Sequence, residues 1–315
     1  MVISKTAYVS DFPVENYNGI GIPMTEIFGL DVHEGTSQNW WLAKTDNGII
    51  YNGTGIGLNE WDGEKWSYYN TPHNSRIRSV SPWHDGNIYV GTTNNIGYFS
   101  ANHKGSLTFK SLIEDWTFEQ HQFGEIWSTA ANVEGVLFSA INSMYFWDGK
   151  KIQTISDGVS GIHRVFAMGD KFIYKQKDEN FFQIVHTNPT LRIEKSHITL
   201  PKGVKIRQIL FNKKDNMVIF TDRFGIYELI NGNLVKQVDE LDFPNETNIY
   251  HAIQASDGYY YVTSITNGLF ILSPELKVLR QYSKEHNLGM NTIFSVLEDN
   301  QGNIWLSGMP SIVKM

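Results

Sequence analysis

The chain has 315 residues, with 26 basic and 33 acidic side chains that give a formal net charge of −7, and it contains no cysteine. A nucleic-acid-binding function is not expected, because binding to phosphates requires clustered Lys and Arg and the chain has no basic run. The lack of cysteine excludes disulfides, thiolate metal sites and cysteine nucleophiles.

The composition favours a β protein. The chain contains 9 Trp, 15 Tyr, 18 Phe and 27 Gly but only 9 Pro. Many aromatic residues and many glycines are typical of short strands joined by tight turns. A chain of this length forms either two domains or one large β domain.

The first residues, MVISKTAYVSDFPVENYNG, lack the apolar core of a secretory signal peptide. No apolar stretch elsewhere in the sequence is long enough to span a bilayer. We therefore expect a soluble chain that makes no direct contact with a membrane. Met1 is equally compatible with a start that replaced a cleaved export signal.

One pattern recurs along the chain: an apolar strand, a polar turn ending in Gly or Asn, an aromatic-rich strand and a third strand introduced by Gly. The copies begin at Trp40, Ile77, Ile126, His163, Arg207, His251 and Ile293. Their turn residues, from Gly48 to Gly302, recur about every 42 residues, a spacing typical of propeller blades.

Each copy predicts four antiparallel strands. Alternation with period two, as in NIYVGT (87–92) and YYYVTS (259–264), indicates strands rather than helices. A second turn follows the third strand, as in WDGEKW (61–66), WDGKKI (147–152) and INGNL (230–234), and leads into a fourth strand. Because one such sheet cannot cover both of its faces, the copies are expected to pack around an axis as a single all-β, seven-bladed β-propeller.

The last copy has only three strands before Met315, whereas KTAYVSDF (5–12) reads as a strand without a sheet. Pairing this N-terminal strand beside Ser311–Met315 would complete the last blade, close the ring and remove two exposed edges. The predicted blades span residues 27–70, 77–112, 123–157, 162–198, 205–239, 249–283, and 291–315 together with 5–12.

The segments VLEDNQGNIWLSG (296–308), GLNEWDGEKW (57–66) and TNGLFILSPELKVL (266–279) resemble the two-component regulator propeller family. The resemblance covers nearly the whole chain, although the fourth copy has diverged. It implies an extracytoplasmic, periplasmic sensor domain of a bacterial hybrid two-component system or membrane-bound transcription regulator. Such propellers are often followed by a triple-tyrosine immunoglobulin-like domain, a membrane helix and an output domain. None of these follows here, which suggests an excised sensor module or a free-standing propeller.

Motifs for catalysis or metal binding are not recognisable. The ten histidines are scattered, and neither H-E-x-x-H, G-x-S-x-G nor a P-loop occurs. Asp299–Gly302 resembles a calcium loop superficially, but no bidentate Glu follows, so a structural turn is the better interpretation. Trp41, Trp83, Trp147 and Trp305 are expected in the core between blades. We expect no cofactor, no metal and no enzymatic activity.

The remaining candidate is a binding face at one mouth of the central channel. The loops that enter the inner strands contain Arg76, Arg78, Glu125, Trp127, His163, Arg207 and His251. The loops between second and third strands contain Asn94, Asn95, Asn142, Arg223 and Asn267. From these we predict ligand-binding roles for Arg78, Trp127, His163, Arg207, Arg223 and His251. Aromatic, Arg and amide groups suit an oligosaccharide or another small polar ligand.

The sequence therefore predicts a non-catalytic sensor propeller that detects a glycan or other nutrient signal. Its ligand would act on a downstream signalling domain or a second subunit by favouring one arrangement of domains. The isolated chain is expected to be a monomer or a weak dimer. A propeller polysaccharide lyase or glycoside hydrolase and a protein-interaction scaffold remain as alternatives.

Overall fold

The computed structural model of the protein describes residues 23–155, 160–162, 164–177, 179, 181–188, 190–244 and 247–315. These residues form seven four-stranded antiparallel sheets, which confirms the predicted seven-bladed propeller. The inner strands of blades one to seven lie around the central axis, and they contact their neighbours closely at every interface except that between blades four and five. They are β2 (Asn39–Lys44), β6 (Val80–Pro82), β10 (Ser128–Asn132), β14 (Val165–Met168), β18 (Ile206–Phe211), β22 (Ile249–Gln254) and β26 (Thr292–Glu298).

The other strands follow in the same order within each sheet. The second strands are β3 (Ile50–Thr54), β7 (Ile88–Gly91), β11 (Gly135–Ser139), β15 (Lys171–Tyr174), β19 (Met217–Thr221), β23 (Tyr260–Ser264) and β27 (Ile304–Met309). The third strands are β4 (Gly57–Trp61), β8 (Ile96–Ala101), β12 (Met144–Trp147), β16 (Phe181–His186), β20 (Ile226–Ile230), β24 (Leu269–Leu272) and β28 (Ile312–Lys314).

The outer strands are β5 (Trp66–Asn70), β9 (Leu107–Ser111), β13 (Ile152–Ile155), β17 (Arg192–Thr199), β21 (Asn233–Val238), β25 (Val278–Tyr282) and, in blade seven, β1 (Glu26–Phe28). Short helical segments lie in the connections: α1 (Leu30–His33) and single 3-10 turns at Pro72–Asn74, Glu240–Asp242 and Lys284–His286. No helix in the described ranges is long and apolar enough to cross a membrane.

An N-terminal strand closes the ring, as predicted, but it is not the segment that was predicted. Strand β1 pairs with β28, with Glu26 opposite Lys314 and Phe28 opposite Ile312. Residues 5–12 themselves lie outside the described residues. The position beside β28 that they were expected to fill is occupied by β1. The reason is packing: Phe28 is buried against Trp61, Trp66 and Trp305, which form an aromatic cluster between blades seven and one.

The core is divided among the interfaces between blades. Seven apolar clusters are present in the described residues, and each one joins two neighbouring blades. Trp305 is buried between blades seven and one, while Trp83 and Trp147 pack between blades two and three. Trp41 packs against the cluster between blades one and two. Face-to-face burial of sheets thus supplies the apolar contacts that a single blade lacks.

The Asp299 turn is structural, as predicted. Asp299 Oδ1 accepts hydrogen bonds from the backbone N–H groups of Gln301 and Asn303, at 2.9 and 2.8 Å. Its Oδ2 accepts from Asn303 Nδ2 and from the indole Nε1 of Trp305, both at 2.8 Å. These bonds hold the pKa of Asp299 below its usual value although burial opposes them. Gly302 adopts a φ of +83°, a conformation that favours glycine.

Candidate ligand-binding site

The loops that enter the inner strands meet the loops between second and third strands at one end of the channel, as predicted. Asn94 Oδ1 accepts a hydrogen bond from the backbone N–H of Gly124 at 2.7 Å. Asn267 Nδ2 donates to Thr247 Oγ1, also at 2.7 Å. Both asparagines therefore brace the mouth of the channel. We call this end of the propeller the upper mouth.

Seven equivalent residues, one from each blade, surround the channel at the upper mouth. In six blades the residue immediately precedes a backbone pair near the start of the inner strand, for example Trp40 before the Trp41–Gly53 pair. In blade two the equivalent is Arg78, two residues before the Val80–Val90 pair. We call this set the mouth ring. It consists of Trp40, Arg78, Trp127, Arg164, Arg207, Tyr250 and Phe294.

A β-bulge directs ring residues toward the channel. The pairing register shifts between Asn39 and Trp41, and the same shift occurs between Ile206 and Gln208, Ile249 and His251, and Ile293 and Ser295. The extra residue in each case is the ring residue. A bulge of this kind re-aims a side chain and is common at the rims of closed β structures.

Contacts run from one ring side chain to the next. The Arg78 guanidinium lies between two indoles, 4.1 Å from the ring centroid of Trp127 and 4.3 Å from that of Trp40. Trp40 stacks on Phe294 at 4.4 Å, and Phe294 meets Tyr250 edge-on at 5.4 Å. Alternation of aromatic and cationic groups gives the ring favourable cation–π contacts.

The ring continues through two arginines on the side of blades four and five. The guanidinium carbons of Arg164 and Arg207 lie 4.8 and 5.1 Å from the Tyr250 ring centroid. Arg164 Nη1 also donates to the backbone carbonyl of Arg207. Burial lowers the pKa of Arg164 to about 10 and also lowers that of Arg207.

The channel below the ring is filled by side chains. Trp41, from blade one, packs against His251, from blade six, with ring centroids 4.4 Å apart and an interplanar angle of 41°. The Arg164 guanidinium reaches across to lie 4.8 Å from the Trp41 ring. A ligand at the upper mouth would therefore rest on these residues instead of entering an open channel.

His251 serves as a hydrogen-bond acceptor between blades six and seven. Its Nδ1 accepts from the backbone N–H of Val296 at 3.2 Å and lies 3.4 Å from Ser295 Oγ. Burial, and then the nearby Arg164 charge, hold the pKa of His251 well below its usual value. A neutral imidazole with this acceptor role is a structural element of the channel.

Glu125 forms ion pairs with two arginines. Its Oε1 lies 2.7 Å from Arg76 Nη1 and its Oε2 lies 2.7 Å from Arg78 Nε. Both carboxylate oxygens therefore accept charge-assisted hydrogen bonds, which fix Arg78 against the Trp127 indole.

A pocket of about 480 Å³ opens beside Trp127. It lies between the 112–127 connection and the loop between β11 and β12. The lining residues are Glu119, Gln120, Gln122, Phe123, Gly124, Glu125, Trp127, Ile141, Asn142, Ser143 and Tyr145. We call it the Trp127 pocket. Its volume lies within the usual range for small-molecule sites, and its walls combine aromatic rings with amides and carboxylates.

The pocket is held by contacts within its own loops. The Phe123 and Trp116 rings lie 4.9 and 5.4 Å from the ring of Tyr145. His121 Nδ1 lies 3.0 Å from the Asn94 backbone oxygen, which ties the 112–127 connection to blade two. Packed aromatic rings and these polar contacts give the pocket a defined wall.

The six residues predicted to bind a ligand occupy different positions. Arg78, Trp127 and Arg207 belong to the mouth ring. His251 lies one residue beyond its ring position and is buried in the channel. Arg223 is exposed in the turn after β19, close enough for its charge to lower the pKa of Arg207 further. His163 lies outside the described residues. Their roles toward a ligand stay predictions.

Four ring residues were missed, namely Trp40, Arg164, Tyr250 and Phe294. A signal for some of them exists in the sequence, because a buried Ile stands directly before Arg78, Trp127, Arg207, Tyr250 and Phe294. Aligning the copies on that Ile selects Tyr250 in place of His251. The described residues contain no group of three or more His, Asp or Glu side chains suited to a metal ion.

Solved structures with this fold include the extracellular domains of two proteins described as hybrid two-component systems from B. thetaiotaomicron. One has a TM-score of 0.73 and 16% identity, and covers 92% of this chain and 39% of its own. The other has a TM-score of 0.68 and 14% identity, with coverages of 92% and 41%. The chain thus spans about two fifths of those domains.

A third similar structure is virginiamycin B lyase from Staphylococcus aureus, with a TM-score of 0.69, 12% identity and coverages of 92% of this chain and 98% of the lyase. At these identities the likeness shows the fold alone. No curated protein sequence matches the chain. Residues 287–309 match the family model described as two component regulator propeller. The match covers β26 and β27 and includes the segment VLEDNQGNIWLSG, where the sequence resembles that family.

Proposed function

We propose that this propeller is the non-catalytic, ligand-binding sensor part of a bacterial signal-transduction regulator, located outside the cytoplasm. The observation that carries the proposal is the Trp127 pocket, which shares Trp127 with the mouth ring and contacts the ring residue Arg78 through Glu125. The ligand that suits it best is a short oligosaccharide. A signalling domain or a second subunit would then respond to the occupied pocket.

The walls of the pocket match the chemistry of a sugar. Trp127 and Phe123 offer aromatic surface for the C–H face of a pyranose ring, and the buried Tyr145 packs behind Phe123. Gln120, Gln122 and Asn142 offer amide donors and acceptors, which suit hydroxyl groups. A few polar groups on a largely preformed apolar surface are typical of small-molecule sites.

The extracytoplasmic location and the sensing role rest on two further points. Residues 287–309 match the family model described as two component regulator propeller. Two structures with the same fold are described as extracellular domains of hybrid two-component systems. These support the proposal by analogy, because similarity of fold does not by itself determine function.

The test is binding of neutral trisaccharides to the purified chain, measured by calorimetry and by thermal shift. The panel contains cellotriose, xylotriose, mannotriose, galactotriose and arabinotriose. At least one is expected to bind, and Trp127→Ala is expected to weaken it by about tenfold or more, since an aromatic anchor in a pocket carries much of the binding energy.

The matched control is Trp83→Ala. Trp83 lies in the same pair of blades but at the opposite end, where its Nε1 donates to the Asn132 carbonyl at 2.7 Å. This variant should lose stability and keep the affinity. Affinity that is unchanged in Trp127→Ala would exclude the Trp127 pocket as the sugar site. If no trisaccharide binds, whether neutral or acidic, a protein-interaction scaffold becomes the better function.

A second candidate function is a propeller lyase or glycoside hydrolase, because virginiamycin B lyase has the same fold. Two features of the upper mouth argue against it. Glu125 has both oxygens bound by arginines, and His251 is buried below the ring with its Nδ1 already accepting a backbone hydrogen bond. If the purified chain degraded a polysaccharide or a streptogramin, the enzymatic function would replace the sensor function proposed above.

A further inference from the structure

The side of the upper mouth formed by blades four and five carries buried positive charge. Arg164 is 8% exposed, and its guanidinium is held by the rings of Trp41 and Tyr250 and by the Arg207 carbonyl. Within the described residues neither Arg164 nor Arg207 forms an ion pair. Arg207 Nε is buried without a hydrogen-bond partner.

This arrangement is costly for the fold alone. A buried guanidinium is normally paired with a carboxylate, because desolvation of the charge is expensive. Arg78 illustrates the usual solution at the same mouth, since Glu125 binds it at 2.7 Å. Arg164 receives ring faces, the Tyr250 side chain and a backbone carbonyl. Arg207 lies near Asp222, whose charge opposes the lowering of the Arg207 pKa by burial but forms no ion pair with it. These contacts compensate a cation less well than a directly bound carboxylate does.

More cations lie around the two arginines. A narrow cleft between blades four and five is lined by Arg164 together with Lys175, Lys177 and Lys205, and none of the described residues that line it is acidic. Arg223, in the turn after β19, adds another charge near Arg207. Of the described carboxylates in these loops, Asp222 accepts a hydrogen bond from the Lys205 backbone N–H, and Glu179 is half-buried.

We propose that this side of the mouth binds an oxyanion, and that the ligand of the propeller is an acidic oligosaccharide with a carboxylate or sulfate group. Arg164 and Arg207 form the floor of the subsite, and the lysines form its rim. This inference rests on the proposed function, because it takes the sugar itself to bind at the same mouth. An oxyanion accepts from the fork of N–H donors of arginine and neutralises the buried charge.

The experiment compares ligands that differ only in charge. Trigalacturonate and its fully methyl-esterified form are titrated into the chain by calorimetry, with a 6-sulfated galactose disaccharide and its unsulfated form as a second pair. At least one acidic member is expected to bind about tenfold or more tighter than its neutral match, because charge-assisted hydrogen bonds are the strong ones. The two pairs separate a carboxylate ligand from a sulfate ester.

Arg164→Met and Arg207→Met are the diagnostic variants. Each should reduce the affinity for the acidic member by about tenfold or more and leave the neutral member unchanged. Arg192→Met is the matched control, since Arg192 lies on the outer strand of blade four with its side chain 61% exposed. Because neither diagnostic arginine forms an ion pair with a described carboxylate, replacement by an apolar side chain of similar length should preserve folding.

A second measurement covers the case in which a variant fails to fold. Raising the NaCl concentration from about 50 mM to about 500 mM should weaken binding of the acidic member by the wild-type chain and spare the neutral one. The inference would be overturned if the acidic and neutral members of both pairs bound with equal affinity. It would also be overturned if the affinity for the acidic member changed neither with NaCl concentration nor in either arginine variant. If neutral sugars still bind through Trp127 in that case, the proposed function survives without it. If neither pair nor any neutral trisaccharide binds, both fall.

Discussion

Blade seven and blade four have the same four strands, but the hairpin between their first two strands is held in different ways. In blade seven, Asp299 is buried, and its carboxylate binds two backbone N–H groups, Asn303 and the indole of Trp305. In blade four, a two-residue turn, Gly169 and Asp170, connects Met168 to Lys171. Asp170 is exposed and its carboxylate has no hydrogen bond to the described residues.

The two blades also differ at the upper mouth. The ring residue of blade seven is Phe294, which stacks on Trp40. That of blade four is Arg164, a buried cation without an ion pair in the described residues. The recognisable repeat therefore marks the stabilising hairpin at the lower end of a blade. The candidate ligand-binding residues lie at the other end, and the buried Arg164 among them belongs to the diverged blade four.

The largest difference in stability between variants of blades seven and four is expected at their outer strands. Phe28→Ala should lower the free energy of unfolding by about 4 kcal/mol, because it empties an aromatic site between blades seven and one. Phe28 is 5% exposed and stacks on Trp305 with centroids 5.6 Å apart and an interplanar angle of 5°. Urea unfolding followed by Trp fluorescence measures the change.

The comparison variant is Ile193→Ala in the outer strand of blade four, where Ile193 is half-buried against its cluster. A loss of about 1 kcal/mol is expected there, since less apolar surface is removed from the core. Equal losses in the two variants would mean that closure by β1 contributes no more than an ordinary outer strand.

The next effect concerns the hairpins themselves. Asp299→Ala should cost about 3 kcal/mol, because it removes an ionised acceptor and leaves the buried Trp305 N–H without a partner. Asp170→Ala, at the corresponding turn of blade four, should change stability by less than about 0.5 kcal/mol. Thermal unfolding of both variants measures the difference. A similar loss from Asp170 would show that the fourth hairpin is held by interactions other than those described.

The fold was predictable because its signals are local. Period-two alternation and turn residues such as Gly302 identify each hairpin, and a fixed spacing identifies the ring. The closing strand was not predictable to the residue. The sequence analysis chose KTAYVSDF and assigned Phe28 to blade one, whereas Phe28 packs with Trp61, Trp66 and Trp305 from the outer strand of blade seven. Those contacts join residues at opposite ends of the chain.

The mouth ring was only partly predictable, and the reason is the bulge. Arg78, Trp127 and Arg207 were identified, but the copy in blade six was read from His251, one residue after Tyr250. A shift of one residue moves a strand side chain to the other face, so the prediction selected a buried neighbour. Arg164 was missed because blade four has diverged, and its contacts with Trp41 and Tyr250 come from distant blades.

The smallest expected difference in stability between blades six and four concerns the residue that follows the ring residue. Blade four has Val165 there, whereas blade six has His251, whose pKa is held well below the usual value by burial. In the unfolded chain this histidine titrates near pH 6.5, so below that pH the unfolded state binds a proton that the folded state does not. The contribution of His251 to the free energy of unfolding is therefore fully present above about pH 6.5 and is lost progressively as the pH falls below that value.

Between about pH 6.5 and pH 5.5 the loss attributable to His251 should be about 1 kcal/mol. His251→Gln removes the titrating group and should flatten that part of the stability profile, measured by urea unfolding at a series of pH values. His103→Gln, at an exposed turn of blade two, is the control and should leave the profile unchanged. An equally steep stability profile in His251→Gln would mean that other groups produce the pH dependence. The hydrogen bond between His251 and Val296 would then contribute nothing to it.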